Sequence, residues 1–201
     1  MMGPRGRVDG LLLAGGRSRR FGSDKRFARV GGTTLARLAA QKLRRSINGT
    51  LFIAAGRRVP DLGIGHNAVF VNDAVVDSGP LGGIVGGLLR SDAGILVLAC
   101  DLPHIKVEML KYTGRLGVRI DRPVAARGHR GWEPLAAWYP RWMLPLLRSA
   151  LAQGLRSPQI VLDRAGCVPL HWPEEKQFLN INRPGDMVGT RRNSDGAKKE
   201  R

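Results

Sequence analysis

A glycine-rich segment followed by several cations lies near the start of the chain and is suited to binding a polyphosphate. Gly15 and Gly16 are adjacent, and because glycine has no Cβ, the backbone there can turn freely and approach a ligand closely. The cations that follow are Arg17, Arg19, Arg20 and Lys25. Free backbone N–H groups in a tight loop, surrounded by positive charge, favour phosphate groups.

The spacing of this segment excludes two familiar phosphate-binding loops. A Walker A loop has four residues between its glycines and then a lysine, whereas five residues separate Gly16 from Gly22 and Ser23 follows. The dinucleotide fingerprint G-x-G-x-x-G also fails, because Gly15 and Gly16 have no residue between them. The segment is therefore a phosphate-binding candidate of another kind.

Two aspartates come after predicted strands and are candidates for contacts with a nucleotide and its metal ion. Asp101 follows the apolar run 95–99, and a carboxylate there can ligate Mg²⁺ while that ion holds substrate phosphates. Asp73 follows the run 68–71 and can accept hydrogen bonds from a base or a ribose hydroxyl. The alternatives are a helix cap for Asp101 and an Asx-turn for Asp73.

Two asparagines form a weaker candidate. Asn180 and Asn182 alternate along a predicted short strand at 178–182, which would place both amides on one face. They could hold a metal-bound water or a phosphate, and structural hydrogen bonding is the alternative.

Other types of catalytic site are disfavoured. The four histidines are scattered, with no His-x-x-x-His pair that would indicate zinc, and Ser18 lacks the G-x-S-x-G context of a hydrolase. Cys100 and Cys167 are isolated in the sequence. Because Cys100 lies within an apolar run, we expect it to be a small buried hydrophobic residue.

The elements that must position these residues alternate between strand and helix in the first half of the chain. Strands are predicted at 11–14, 27–30, 50–55, 68–71 and 95–99, and helices from Thr33 or Thr34 to about 45 and from about 79 to 89. Strands that are apolar throughout indicate a mostly parallel sheet covered on both faces, which is a three-layer α/β/α, Rossmann-like fold. Ligands of such sheets bind beyond the carboxyl ends of the strands, so we expect Gly15, Asp73 and Asp101 at one edge.

The second half of the chain is less regular. Helices are predicted at 107–116, 141–153 and 158–164, and strands at 123–127, 133–139, 168–171 and 178–182. We expect a flexible start at 1–7, one domain at 8–188 and a basic, disordered tail at 189–201.

The charge of the chain is strongly positive. Its formal net charge is +17, with ten basic residues and one acidic residue between Arg17 and Arg45. This balance predicts attraction to polyanions such as nucleic acid, although a solvated basic surface is the alternative and aromatic residues do not interleave the cations. No apolar run resembles a membrane span or a signal peptide, so we expect a cytoplasmic protein without membrane contact.

Taken together, these motifs resemble those of the molybdenum cofactor guanylyltransferases, within the nucleotidyltransferase-A superfamily. The signature Leu-Ala-Gly-Gly-x-Ser-x-Arg-x-Gly-x-Asp-Lys is matched at every fixed position from Leu13 to Lys25. Further matches are Asp73, Gly79–Gly83, Cys100–Pro103 and Asn180–Pro184. The resemblance extends over roughly 8–187.

The resemblance implies an Mg²⁺-dependent transfer of GMP from GTP to the phosphate of molybdenum-molybdopterin. It implies that GTP is bound by Leu13, Ala14, Gly15, Gly16, Lys25, Asp73 and Asp101. The catalytic residues would be Arg20, Lys25 and Asp101, with Asp101 on the metal and with Asn180 and Asn182 as candidates for the pterin or phosphate. Delivery to a molybdoenzyme or its chaperone is implied by the family as well.

The choice of base rests on fewer residues. Related cytidylyltransferases more often have Leu-Ala-Ala-Gly in the first loop, so Gly15 favours guanine. Family members can carry a base-contacting Asn after the second strand, where this chain has Ala54. Guanine selection would then rest on backbone groups, Asp73 or another side chain. The alternatives are a cytidylyltransferase or other nucleotidyltransferase of the same fold, and a nucleic-acid-binding protein on a degenerate transferase fold. The oligomeric state is open, with a monomer favoured.

Overall fold

The computed structural model covers most of the chain and includes the elements that carry the candidate site. It describes residues 6–15, 21, 24–56, 61–65, 67–75, 78–128, 131–183 and 185–186. Most of the predicted flexible start and all of the predicted basic tail at 189–201 lie outside the described residues. In the described part of the chain, no helix has the length and apolar character needed to cross a bilayer.

Strands and helices alternate along the chain. The first half contains β1 (Asp9–Leu13), a 3₁₀ turn (Lys25–Phe27), β2 (Arg29–Val30), β3 (Thr33–Thr34), α1 (Leu35–Arg44), β4 (Leu51–Ala54), β5 (Ala68–Val71), α2 (Gly79–Arg90) and β6 (Gly94–Ala99). The second half contains α3 (Val107–Ile120), β7 (Val124–Gly128), β8 (Gly131–Pro140), a 3₁₀ turn (Arg141–Met143), α4 (Leu144–Ala152), α5 (Gln159–Arg164), β9 (Val168–Leu170) and a 3₁₀ turn (Glu175–Phe178).

Within the described residues, seven strands form one central sheet in the order β5-β4-β1-β6-β8-β7-β9. Strand β8 is antiparallel to both of its neighbours, and the other six strands run in one direction. The mostly parallel sheet predicted from the apolar runs is therefore confirmed. Strands β1, β4 and β6 are buried along their whole length, as expected for strands covered on both faces.

Helices cover both faces of this sheet. Leu43 of α1 lies against Gly10 of β1, while Gly87 of α2 lies against the next residue of that strand, Leu11. Because successive strand residues point to opposite faces, α1 and α2 cover opposite sides. Helix α3 contacts α1, and α4 contacts α2, which completes the three predicted layers.

Helix α3 is longer than its sequence pattern indicates. The predicted end near residue 116 precedes Gly117, but the helix continues to Ile120. A Cβ on Gly117 would lie 2.1 Å from Cδ1 of Trp138, so this glycine allows the indole to pack against the helix backbone. Its role is tertiary packing rather than helix termination. The helix ends at Asp121, which has a left-handed conformation with φ of 49°.

The predicted strand at 27–30 is wrong over its first half. The 3₁₀ turn occupies Lys25–Phe27, and β2 then pairs antiparallel with β3 in a small hairpin. Gly31 and Gly32 make the turn, with φ of 56° and 81°, a conformation that glycine adopts without strain. Thr34 follows as the predicted cap of α1, and its side chain accepts a hydrogen bond from the Arg37 backbone N–H at 3.2 Å.

Candidate functional site

The predicted site residues that the structure describes lie at the carboxyl edge of the sheet. Gly15 follows β1, Asp73 follows β5 and Asp101 follows β6, and these strands are parallel. The structure therefore places all three at one end of the sheet, where α/β folds bind ligands. Gly16 and Arg20, the predicted phosphate-binding and charge-neutralising residues, lie outside the described residues.

Asp101 and Lys25 form the central ion pair of this edge. Nζ of Lys25 donates to Oδ2 of Asp101 at 2.6 Å, and both side chains are largely buried. The two residues are 76 positions apart in the sequence, so the fold brings the first loop onto the end of β6. A lysine ammonium has three donors, and Lys25 can therefore bind this carboxylate and a phosphate oxygen together.

The second carboxylate oxygen of Asp101 suits a metal ion. Oδ1 is buried and has no hydrogen-bond partner among the described residues, and such an oxygen is costly to bury unless a ligand completes it. The described residues contain no group of three or more His, Cys, Asp or Glu side chains arranged to hold a metal. One carboxylate oxygen with phosphates and waters is nevertheless the usual set of Mg²⁺ ligands at nucleotide sites, so the residues present fit such an ion.

Arg26 connects the ends of β1 and β4, a function that the sequence patterns did not reveal. Its Nη1 donates to the carbonyl oxygens of Ala14 and Ala55, each at 3.2 Å. Asp24 accepts from Nε and Nη2 of the same guanidinium and from the Arg26 backbone N–H at 3.1 Å. Hydrogen bonding to Arg26 holds the pKa of Asp24 below its usual value. Arg26 thus fixes the loop that presents Lys25.

The backbone of the predicted nucleotide loop is tied to the neighbouring strands. The Ala14 N–H donates to the Ala54 carbonyl at 2.8 Å, and the Leu13 carbonyl accepts from the Cys100 N–H at 3.1 Å. Gly15 is exposed, and a Cβ there would meet Ala54 O at 3.7 Å, an ordinary contact. Packing within the protein therefore does not require glycine at position 15. Close approach of a ligand to the backbone would require it.

Asp73 lies over a glycine-rich part of α2. Its Oδ1 is 3.4 Å from the position that a Cβ on Gly83 would take, and that position is also 2.7 Å from Cδ2 of Leu13. A Cβ on Gly86 would lie only 2.2 Å from the Asn72 carbonyl oxygen. These glycines let the loop after β5 rest on α2 and bring the Asp73 carboxylate toward the end of β1. Its contact with the nucleoside stays a prediction.

The segment that contains Asn180 and Asn182 is not a strand. A 3₁₀ turn ends at Phe178 and irregular chain follows, so the predicted strand at 178–182 is wrong. Its backbone is instead hydrogen-bonded to the site, because the Ile181 N–H donates to the Asp101 carbonyl at 2.9 Å. Both asparagines are exposed and flank the buried Ile181. Both asparagines therefore lie beside Asp101. The prediction that their amides share one face depended on a strand, and it is wrong because the segment is not a strand.

Ile181 also binds this segment to the first loop. It is 2% exposed and packs with Phe21 and Leu35 in a small apolar cluster separate from the main core. Phe21 belongs to the cation-rich loop and Leu35 begins α1. The C-terminal segment therefore contacts the predicted nucleotide loop through its side chain and the Asp101 loop through its backbone.

Cys100 is unsuited to nucleophilic chemistry even though it precedes Asp101. It is buried, which raises the pKa of its thiol to about 12, so the thiolate is not populated near neutral pH. The expectation that Cys100 is a small buried hydrophobic residue is confirmed.

Comparison with known proteins identifies similar chains. Residues 10–165 match the family model of the MobA-like NTP transferase domain. A probable molybdenum cofactor guanylyltransferase of Nostoc sp. PCC 7120 is 33% identical over 184 residues, which cover 89% of this chain and 87% of that protein. The molybdenum cofactor guanylyltransferase of Pseudomonas fluorescens is 34% identical over 181 residues, covering 87% of this chain and 88% of its own length.

A solved structure has the same fold. The molybdopterin-guanine dinucleotide biosynthesis protein A of Archaeoglobus fulgidus aligns with a TM-score of 0.76 at 25% sequence identity. The alignment covers 91% of this chain and 96% of the archaeal one. The similarity therefore extends through both the regular first half and the less regular second half.

Proposed function

The chain belongs to the MobA-like NTP transferase family, and on that premise we propose that it is a molybdenum cofactor guanylyltransferase. It transfers GMP from GTP to the phosphate of molybdenum-molybdopterin, giving molybdopterin guanine dinucleotide and pyrophosphate. Relatives at 33% and 34% identity over most of the chain support this activity. The main structural support for this activity is the arrangement of Asp101. One of its carboxylate oxygens is paired with Lys25, and its other, buried oxygen is available for a metal ion.

The reaction joins two phosphates and needs no strong base. A phosphate oxygen of the acceptor attacks the α-phosphorus of GTP, a new P–O bond forms, and the bond to the β-phosphate breaks to release pyrophosphate. The second pKa of a phosphate monoester is about 6, so the nucleophile is already ionised at neutral pH. Catalysis then depends on positioning and on charge neutralisation.

The residues at the carboxyl edge supply that neutralisation. Lys25 places an ammonium beside Asp101, and Arg20 adds a guanidinium from the same loop in the proposed arrangement. Asp101 would hold Mg²⁺ through Oδ1, and the ion would neutralise charge on the triphosphate and the leaving group. The exposed Asn180 and Asn182 lie beside Asp101 through the Ile181 hydrogen bond, which is a suitable position for contacts with the acceptor.

Recognition of guanine is proposed to use the backbone around the first loop together with Asp73. Ala54, at the end of β4, has no polar side chain for the base. Asp73 can accept from the N–H groups of guanine or from the ribose. Gly15 leaves space at the end of β1 where a side chain would approach the ligand.

The deciding experiment is to incubate the protein with molybdopterin, Mg²⁺ and each labelled nucleoside triphosphate separately, and to identify the product by mass. The expected product is the guanine dinucleotide, with pyrophosphate released in equal amount. Chelation of divalent cations should abolish turnover, and added Mg²⁺ should restore it.

Each other outcome would contradict the proposal in a distinct way. A cytosine dinucleotide would show a cytidylyltransferase of the same fold. Nucleic-acid binding with a steep salt dependence, in a protein that does not bind GTP, would show a binding protein instead. Two further proposals accompany this activity and are tested separately. The product is delivered to a molybdoenzyme or its chaperone, and the protein is cytoplasmic.

A further inference from the structure

The loop that carries Asp101 is held from α1 by a lysine. This loop, residues 101–106, connects β6 to α3 and is called the Asp101 loop below. Nζ of Lys42 donates to the Pro103 carbonyl at 2.5 Å and to the Ile105 carbonyl at 2.7 Å. One side chain of α1 therefore satisfies two carbonyl oxygens in the middle of the loop.

Lys42 lies in an environment that disfavours a charge. It is one turn from Ala39 and next to Leu43, both buried on the inner side of α1, and burial lowers its pKa below the ordinary lysine value. No described residue forms an ion pair with it. Glu108 is the acidic residue that acts on it at longer range. An ammonium that is partly removed from water needs acceptors in place of the lost water, and here the acceptors are both in the Asp101 loop.

The ends of the same loop are held by the C-terminal segment, residues 177–181. The Ile181 N–H donates to the Asp101 carbonyl at 2.9 Å, and Oε1 of the buried Gln177 accepts from the Lys106 N–H at 2.8 Å. The two ends thus have partners in residues 177–181, and Lys42 holds the middle. If Lys42 were removed, the carbonyls of Pro103 and Ile105 would lose this donor.

We propose that Lys42 is a positioning residue for nucleotidyl transfer, which fixes the Asp101 loop so that the Asp101 carboxylate meets the nucleotide-bound metal ion. This inference rests on the proposed function. Lys42 touches neither substrate nor metal, and it acts through the backbone of the loop. Groups that orient a metal ligand typically change metal affinity or activity by about 10- to 100-fold when removed.

The test compares Lys42→Met, which keeps the length of the side chain and removes its donors, with Lys42→Arg, which restores them. In Lys42→Met we expect kcat to fall at least about tenfold and the Mg²⁺ concentration for half-maximal activity to rise about tenfold. The KM for GTP at saturating Mg²⁺ should change less than about threefold, because the nucleotide loop is untouched. Lys42→Arg should recover most of the loss. Gln41→Met, an exposed neighbour on α1, is the matched control and should match the wild type.

Two measurements are independent of turnover. Binding of Mn²⁺ to the GTP-loaded protein, measured by electron paramagnetic resonance, should weaken about tenfold in Lys42→Met. Amide hydrogen exchange at Leu102, Ile105 and Lys106 should accelerate in that variant while exchange in β1 and β6 stays unchanged. If Lys42→Met does not fold, Lys42→Gln is used in its place, with the same expected loss of Mn²⁺ affinity.

Unchanged Mn²⁺ affinity and unchanged Mg²⁺ dependence in a folded Lys42→Met or Lys42→Gln protein would overturn the inference. A uniform loss of stability with normal metal affinity would also overturn it, because Lys42 would then be structural only. Failure of the wild-type protein to form the guanine dinucleotide would instead contradict the proposed function, and Mn²⁺ binding and hydrogen exchange would still decide the effect of Lys42 on the loop.

Discussion

The two ends of the central sheet use buried aspartates in opposite ways. At the amino end, Oδ1 of Asp9 accepts from the Thr50 N–H at 2.7 Å and from Nε of Arg7 at 2.9 Å, and Oδ2 accepts from Oγ of Ser91 at 2.8 Å. At the carboxyl end, Asp101 leaves one buried oxygen without a partner among the described residues. Both residues are buried, Asp9 at 0% and Asp101 at 8% exposed, and the larger difference between them lies in hydrogen bonding.

This difference separates a structural carboxylate from a ligand-binding one. Asp9 joins β1 to the residue before β4 and to the turn before β6, so its hydrogen bonds connect three parts of the fold. Asp101 has its second oxygen at the edge where parallel sheets bind ligands. A buried polar atom without a partner carries a desolvation cost that a bound cation can remove. Removal of Asp9 should therefore affect stability, and removal of Asp101 should affect turnover.

The largest expected effect is that of Asp101→Ala on catalysis. We expect turnover to fall by about 10² to 10³, the scale for loss of a preorganised electrostatic group, with the fold retained. Some stability is lost because Lys25 loses its counter-ion, but the main-chain hydrogen bonds of the Asp101 loop do not involve the carboxylate. Steady-state kinetics with varied Mg²⁺ and a thermal melt are the measurements. Mg²⁺-dependent turnover near the wild-type rate would remove Asp101 from the site.

The second prediction is that removing the Asp9 carboxylate lowers stability but leaves turnover nearly unchanged. Asp9→Ala should lower the free energy of unfolding by about 2 kcal/mol, because the Thr50 N–H loses its acceptor and the buried Ser91 hydroxyl keeps only the Gly94 carbonyl. The kcat of the protein that remains folded should stay within about twofold of the wild type, since Asp9 touches no part of the carboxyl edge. Urea unfolding gives the stability. Asp92→Ala, an exposed aspartate at the same end of the sheet, is the control and should cost little. A stable Asp9→Ala protein with poor turnover would reverse the comparison.

Glycines at the two ends extend the same contrast. A Cβ on Gly49 would lie 2.1 Å from Oδ1 of Asp9 and 2.9 Å from the Val8 carbonyl oxygen, whereas a Cβ on Gly15 would meet protein atoms only at ordinary contact distance. Gly49→Ala should therefore cost about 1–2 kcal/mol of stability, as overpacking does. Gly15→Ala should leave stability unchanged and raise the KM for GTP several-fold. Equal loss of stability in both variants would contradict the distinction.

The parts of the site that the sequence predicted are those governed by local patterns. Apolar runs at β1, β5 and β6, each followed by a glycine or an aspartate, were enough to place Gly15, Asp73 and Asp101 at one edge. The helix cap at Thr34 has a local signal as well, because threonine before an apolar helical stripe favours that position.

The features that the sequence did not predict depend on contacts between distant residues. Arg26 reaches a carbonyl 29 positions away and Lys42 reaches two carbonyls 61 and 63 positions away, so no local spacing marks either of them. The predicted end of α3 falls before Gly117, because no local pattern shows that this glycine packs against Trp138 of β8. The segment around Ile181 resembled a strand, but its backbone N–H is bonded to Asp101 rather than to a sheet neighbour.

The smallest expected effect concerns Cys100, a structural residue beside the ligand-binding Asp101. Its thiol has a pKa of about 12 in the folded protein, raised by burial from an ordinary 9.0. The folded state therefore keeps a proton that the unfolded state releases, so this contribution to stability is complete below pH 9 and is lost as the pH rises toward 12. Between pH 7.5 and 9.5 the wild type should lose about 0.8 kcal/mol more stability than Cys100→Ala. Urea unfolding at the two pH values measures the difference, and Cys167 cancels because both proteins contain it. Equal losses in the two proteins would show that the Cys100 thiol ionises in the folded state, which would place it with Asp101 among the groups of the carboxyl edge that are open to ligands.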